Sequence, residues 1–340
     1  MADVAARAGV SGQTVSRVAN GSPRVDPSTR ARVEAAMAEL GYRPHRAARA
    51  LRTGRSQTIG LIVSTLATVG NSRMLEGLAE AAAARGYALT VVTIGRESVH
   101  RAFERLQDQD VDGVVVLNEA SRALEDVVPP TGLRLVGVDT APSPGITALE
   151  TDHFGGARAA TEYLLELGHR TVHHVGGPAE SYAAQARVDG WRAALREAGA
   201  PEPPLVRGAW TAASGHSAAA AFAHDRETTA VFCANDQMAL GVLRAITEAG
   251  RRVPEDVSVI GFDDVEDAAD YQPPLTTVRQ YFDVLGERAV AVIADAIERS
   301  VPMPARIVVP AILAVRASTT QAPPRDVSAL PPPRRPFERA

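Results

Sequence analysis

Residues 9–21 read GVSGQTVSRVANG, and the folding of this stretch decides what the N-terminal part of the chain is. Ser11 has the chemistry of an N-cap, a hydroxyl able to accept from a free N–H of a first helical turn. Val15 and Val18 then fall on one side of a helix running to Ala19, with Gln13, Thr14, Ser16 and Arg17 on the other. Asn20-Gly21-Ser22-Pro23 supplies turn chemistry. Upstream, Asp3–Ala8 places Val4, Ala5 and Ala8 on one helical face. Downstream, Asp26 caps a third helix with Pro27 at its first position. That helix runs Ser28–Leu40, carries Val33, Met37 and Leu40 as its apolar stripe, and ends at Gly41. Helix, short turn, helix is helix-turn-helix geometry, in which the outer face of the second helix enters a major groove. Gln pairs bidentately with adenine there, and Arg with guanine. The plainer reading is that two small amphipathic helices open a larger fold.

Charge separates this segment from the rest. Residues 1–55 hold ten Arg against Asp3, Asp26, Glu34 and Glu39, a net of +6, while the whole chain is −4. A basic head on an acidic body fits a polyanion partner for the head alone, or else a solvated charged face. The 36 basic residues are all Arg, a coding bias with no mechanistic meaning. The single cysteine, Cys233, excludes an internal disulfide and a multi-cysteine metal site. No apolar run approaches membrane-spanning length and no signal-peptide core opens the chain, so a cytoplasmic protein is expected.

Beyond a basic connector at 46–55 the periodicity changes. Apolar β runs at 58–63, 88–93, 113–117, 133–138, 171–175, 230–233 and 257–260 are interleaved with amphipathic helices. These helices fall near 73–85, 99–109, 154–167, 183–198, 215–223 and 237–249. Such alternation builds parallel sheets, and about 265 residues is long for one, so two α/β lobes are expected. The Pro-rich tail, 321–340, reads as disordered.

The run DVAARAGVSGQTVSRVANG and then TRARVEAAMAELGYRPHRAARAL resemble the DNA-binding head of the LacI/GalR (lactose-repressor/galactose-repressor) family. The body segments ANDQMALGVLRAITEAG, VSVIGFDDVEDA and PPLTTVRQYFDVLG continue the resemblance, over about residues 1–316, and are most similar to the lactose-repressor branch. It implies an all-α helix-turn-helix head (1–45), a hinge helix and linker (46–56), and a two-lobed α/β domain (57–320) like periplasmic binding proteins. The lobes would be roughly 57–150 with 280–308, and 151–279 with 309–320. In the head, the resemblance gives Gly12 and Gln13 the base-selecting positions and Arg17 the guanine contact, with Thr14 and Ser16 touching phosphate or base edges. A large aromatic often stands where this chain has Gly12, a departure that bears on operator choice. Ala48 would lie against the minor-groove floor, and Leu51 would wedge into a base step and kink the duplex. Family heads usually begin a few residues earlier with a capping Thr, so a start upstream of Met1 is expected.

The resemblance places an effector between the lobes. Ser64, Gly70, Asn71 and Met74 match the first lobe's contribution. Asp139, Arg187, Asn235, Gln237 and Asp263 match its polar positions, and Trp210 and Phe282 its stacking positions. Leu117 replaces a polar cleft residue, with Asn118 following, and Glu150 stands where an aromatic is usual. Carboxylate and amide acceptors, a guanidinium donor and aromatic rings suit a sugar, a galactoside or another glycoside. The Asp263-Asp264 pair could also serve acid–base or metal chemistry; the simpler reading has one facing ligand and the other making a cap or turn. His173-His174 on one strand point to opposite faces and cannot readily chelate together. No nucleophile elbow, phosphate loop or HExxH is present, and no metal, cofactor or catalytic set is expected. The expected partners are double-stranded operator DNA, a small effector and a second copy of the chain. A homodimer is expected because PPRDVSALPPPRRPFERA lacks the heptads of a tetramerising helix. Three alternatives stay open: a corepressor-type regulator sensing a nucleobase, a transporter's solute-binding protein, which would need export and no basic head, and a sugar-processing enzyme.

Overall fold

The computed structural model describes residues 1–19, 22–42, 54–94, 99–118, 120 and 133–324. They form two compact units, a head of residues 1–57 with 110–112 and a body of the remainder.

In the head, α1 (Ala2–Ala8), α2 (Gly12–Ala19) and α3 (Pro27–Glu39) enclose Val4, Ala8, Val15, Val18, Val33 and Ala36. The caps are those the sequence offers. Ser11 Oγ accepts from Thr14 N at 3.1 Å, and the Asp26 carboxylate accepts from Thr29 N at 3.1 Å just ahead of Pro27. One expectation fails. Leu40 is exposed, because α3 ends at Glu39 and Leu40 turns off the helix as its C-cap. Ala36 takes the inner position, and Met37 and Tyr42 pack beside it.

The body is two lobes built on parallel sheets. The first lobe runs β1 (Thr58–Val63), α4 (Val69–Ala84), β2 (Ala88–Thr93), α5 (Val99–Gln107), β3 (Gly113–Leu117), β4 (Arg134–Val138) and β5 (Thr147–Thr151). The second runs α6 (His153–Glu166), β6 (His173–Gly176), α7 (Tyr182–Glu197), β7 (Val206–Arg207), α8 (Ala212–Ala219), β8 (Ala230–Cys233), α9 (Asp236–Glu248), β9 (Ser258–Asp263) and β10 (Thr276–Arg279). The chain then returns as α10 (Phe282–Glu298), which packs on the first lobe, and ends with β11 (Arg306–Val309) and β12 (Ile312–Ala314). Sheet order is β11-β5-β4-β3-β1-β2 in the first lobe and β12-β10-β9-β8-β6-β7 in the second. All pairings are parallel except β10 with β12. The chain therefore crosses between lobes three times: after β5, after β10 and between β11 and β12.

Central strands are buried on both faces, so β3 and β8 are continuous apolar runs with every residue buried, and β9, also fully buried, is apolar between Ser258 and Asp263. The elements that periodicity left unread are of other kinds. β7 and β12 have two and three residues, too short for a pattern. β5 is fully buried yet reads TALET. α10 lies across α4 at a glycine pair: a Cβ on Gly286 would meet the Gly77 backbone at 2.4 Å, and one on Gly77 would meet Phe282 O at 2.7 Å. This close approach fixes where α10 begins, and so where Phe282 points.

Gln321–Pro324 belong to the described chain, and Ala322 N donates to Leu167 O at 2.9 Å, so the polypeptide is held to the second lobe at least that far. Residues 325–340 of the tail lie outside the described residues. Among the described residues no helix is long and apolar enough to cross a membrane.

Candidate functional site

The C-terminal ends of the strands open onto a cleft between the lobes, the place where open α/β sheets offer backbone and side-chain groups to a ligand. Asn118 follows β3, Asp139 follows β4, and Asp263 ends β9; all three line the cleft, as does Asn235, which caps α9. Asn118, Asp139, Asp263 and Trp210 have φ of 46°, 52°, 112° and 65°. Non-glycine residues in this region are uncommon and collect at functional sites. Asn118, Asp139 and Asp263 make this turn at the ends of their strands, and Trp210 makes it just ahead of α8; all four line the gap.

Arg187, on α7, is the cation of the floor and is 4% exposed. Its Nη1 donates to Ala234 O, its Nη2 stands 3.6 Å from Asp263 Oδ1, and the guanidinium lies 3.8 Å from the Phe262 ring centre. Asp263 also accepts from Gln280 Nε2 at 2.6 Å. Behind it, Asp236 accepts from Val265 N at 2.9 Å and from Thr277 Oγ1 at 2.5 Å. Burial raises the pKa of Asp263, with Arg187 opposing, and raises that of Asp236 well above the usual carboxylate range, with the charge of Asp263 adding to the effect. Burial also lowers that of Arg187, against the pull of Asp263. Desolvation thus works against the charged forms of both partners, and the floor favours a ligand whose hydroxyls replace lost water contacts.

Trp210 and Phe282 supply the apolar walls, with Met74, Val138 and Leu285. The Trp210 ring lies directly on Gly177, where a Cβ would come within 2.3 Å of it. Gly70 faces Phe282, its virtual Cβ 3.9 Å from that ring.

Of the positions expected to meet an effector, Gly70, Met74, Asp139, Arg187, Trp210, Asn235, Asp263 and Phe282 line the cleft together. Three stand back from the lining. Asn71 is 1% exposed, donates to Thr65 O at 2.8 Å and accepts from Asn118 Nδ2, so it orients Asn118 instead. Gln237 accepts from Asn235 Nδ2 at 3.0 Å. Ser64 is half-buried just past β1. Leu117 belongs to the first-lobe core, and Glu150, also buried, accepts from Arg306. Sequence reasoning passed over Thr68, Ser181 and Gln280 as cleft residues. Ser181 carried a signal, since it caps α7 with Oγ accepting from Ala184 N at 3.3 Å; Gln280 and Thr68 carried none.

Asp264 points away from the cleft and pairs with Arg279 at 2.5 Å and Arg316 at 2.6 Å, so the two adjacent aspartates have separate tasks. His173 and His174 diverge as the strand geometry demands. His173 meets Thr228 Oγ1 at 3.1 Å. His174 is fully buried, stacks on Phe232, and bonds Phe232 O at 2.9 Å, and burial lowers its pKa to about 3. His169, rather than simply ending a helix, ties Thr229, Ser258 and Thr320 together. Among the described residues no group of three His, Cys, Asp or Glu could hold a metal ion.

In the head, α2 buries Val15 and Val18 and leaves Gly12, Gln13 and Arg17 exposed, with Thr14 and Ser16 half-buried. A Cβ on Gly12 would meet nothing within 4 Å. Ala48 and Leu51 lie outside the described residues.

Residues 1–45 match the family model "Bacterial regulatory proteins, lacI family", and residues 161–319 match "Periplasmic binding protein-like domain". The chain is 38% identical to the HTH-type transcriptional regulator CelR of Thermobifida fusca, over 93% of this chain and 96% of that protein. Its structure is similar to that of the lac repressor dimer bound to operator and the anti-inducer ONPF, with a TM-score of 0.83 and 35% identity, covering 94% of this chain and 98% of that one. It is also similar to the CelR–cellobiose complex, with a TM-score of 0.70 and 34% identity, covering 93% and 98%.

Proposed function

The chain belongs to the lacI family of bacterial regulatory proteins, and from that premise we propose that it is a transcriptional repressor that leaves a pseudo-palindromic operator when a sugar enters its cleft. The sugar is a galactoside or another glycoside, and the regulated genes serve carbohydrate uptake or catabolism. The protein works in the cytoplasm as a homodimer, with no catalytic role. The observation that carries the reading is the cleft itself. Asp139, Arg187 and Asp263 converge between Trp210 and Phe282, so acceptors and a donor for hydroxyls stand beside flat apolar walls for C–H faces. A basic head with Gln13 and Arg17 exposed on α2 belongs to the same chain.

In this mechanism two heads read half-sites through Gly12, Gln13, Thr14, Ser16 and Arg17. The hinge segment 46–56 places Ala48 and Leu51 in the minor groove at the operator's centre. The body, 57–320, binds the sugar; closing its lobes shifts the dimer and releases the hinges. Linkage requires that a sugar which weakens operator binding must itself bind the operator complex more weakly, by the same factor.

The test is thermal unfolding of the full chain with cellobiose, ribose, o-nitrophenyl galactoside and hypoxanthine, followed by operator binding with any compound that responds. Cellobiose comes first because one of the similar solved structures is a CelR–cellobiose complex. A compound at about 100 times its dissociation constant adds about 2.7 kcal/mol. A sugar that shifts unfolding and lowers operator affinity supports the proposal. Hypoxanthine shifting unfolding and raising operator affinity would replace the sugar reading with a corepressor one.

A further inference from the structure

Behind the cleft floor, His153 makes contacts whose directions chemistry fixes. It is the first residue of α6, two positions past β5, where the chain has just crossed from the first lobe to the second. It is 2% exposed and does not line the cleft. Its Nε2 lies 2.7 Å from Asp139 Oδ1, a first-lobe group following β4. Its Nδ1 lies 3.3 Å from Arg187 Nη2 and 3.4 Å from Arg187 Nε, on second-lobe α7. A guanidinium has no acceptor, so Nδ1 must accept; a carboxylate accepts, so Nε2 must carry the proton. Only the neutral Nε2–H tautomer satisfies both neighbours. The other tautomer, or the imidazolium, would set an N–H against the N–H groups of Arg187. Phe262 backs both groups, its ring 5.8 Å from the imidazole and 3.8 Å from the guanidinium.

We propose that His153 is a positioning residue of the effector site, tying Asp139 of the first lobe to Arg187 of the second through its Nε2–H tautomer, so that the acceptor and the donor offered to the ligand keep one spacing. The proposal rests on the cleft being the effector site. The imidazole is a rigid spacer with its donor and acceptor on separate sides, and the two groups it joins both face the cleft. A glutamine can donate from Nε2 and accept at Oε1 and so retain the tie; a leucine fills the space and breaks it.

The test has two arms. In the full chain labelled with 15N-histidine, NMR of the imidazole nitrogens at neutral pH identifies the tautomer, the His153 signals being those lost in His153→Gln. The Nε2–H form is expected, and an Nδ1–H form or an imidazolium overturns the proposal. In the second arm cellobiose, ribose and o-nitrophenyl galactoside are titrated into the wild type, His153→Gln and His153→Leu. For whichever sugar binds the wild type, His153→Leu weakens binding by about tenfold or more and His153→Gln by less than about threefold. A His153→Leu variant that binds as the wild type does, or a His153→Gln variant as weak as the leucine one, overturns the proposal. If the wild type binds none of the three sugars, the proposed effector class falls, and the tautomer alone decides the role of His153.

Discussion

Replacing Arg187 with Met tests the electrostatics of the cleft floor. The substitution keeps much of the side-chain length over Phe262 and removes the only cation within 4 Å of Asp263 among the described residues. It also strips donors from Ala234 O and from His153 Nδ1. Removing one partner of a buried pair costs about 3–5 kcal/mol, because the remaining charge is left uncompensated. The sign of the pH dependence follows from Asp263. Burial already raises its pKa on folding while Arg187 first, and then the Gln280 hydrogen bond, pull it down, so removing Arg187 takes away the largest opposing influence and the value climbs. A carboxyl raised on folding binds its proton more tightly in the folded chain. Its contribution is therefore full below the unfolded value and is lost as pH rises through the folded one. The deficit of Arg187→Met should be largest at pH 7 and shrink toward about pH 4, by up to about 1.4 kcal/mol per unit of raised pKa. Asp236 is raised in both proteins and largely cancels in the difference. Both tryptophans, Trp191 and Trp210, lie in the second lobe, so urea unfolding followed by their fluorescence reads this lobe directly. A deficit below about 1 kcal/mol at pH 7, or one that does not shrink on acidification, would mean that Arg187 does not hold the charge of Asp263 in the folded chain.

Three further outcomes are expected. Arg17→Ala should cost about 1–3 kcal/mol of operator binding and relax the preference at one base pair, read by binding to a set of singly substituted duplexes. Gly12→Tyr should leave the unfolding midpoint within about 0.5 kcal/mol, because the site is open, yet change which operator bases are preferred. Gly286→Ala should destabilise by about 1–3 kcal/mol, since its methyl would press on the Gly77 backbone at 2.4 Å. It should also weaken sugar binding by moving Phe282, and a calorimetric titration showing unchanged affinity would separate that wall from the α4–α10 crossing.

Elements whose signals are local were legible in the residues alone. Ser11 and Asp26 cap helices where capping chemistry puts them, and β1, β3 and β8 match apolar runs because strands buried on both faces need no alternation. The spacing of Val15 and Val18 was enough to leave Gln13 and Arg17 on the outer face of α2. Much of the cleft was legible too, though only through family resemblance, since nothing local marks Asp139, Trp210 or Phe282 as neighbours. What tertiary structure alone decided are matters of direction and contact. Asn71, which the resemblance places in the cleft, turns inward because Thr65 O and Asn118 satisfy its amide there. Gln280 enters the cleft because β10 ends one residue before it and the Gly77–Gly286 contact fixes the start of α10. His153 shows the limit most plainly: as sequence it is one helix-opening histidine beside a capping aspartate. Its role exists only because three separate segments of the chain bring Asp139, Arg187 and Phe262 around one imidazole. Hydrogen-bond direction depends on which atoms face each other in space, and that is fixed by packing rather than by spacing along the chain.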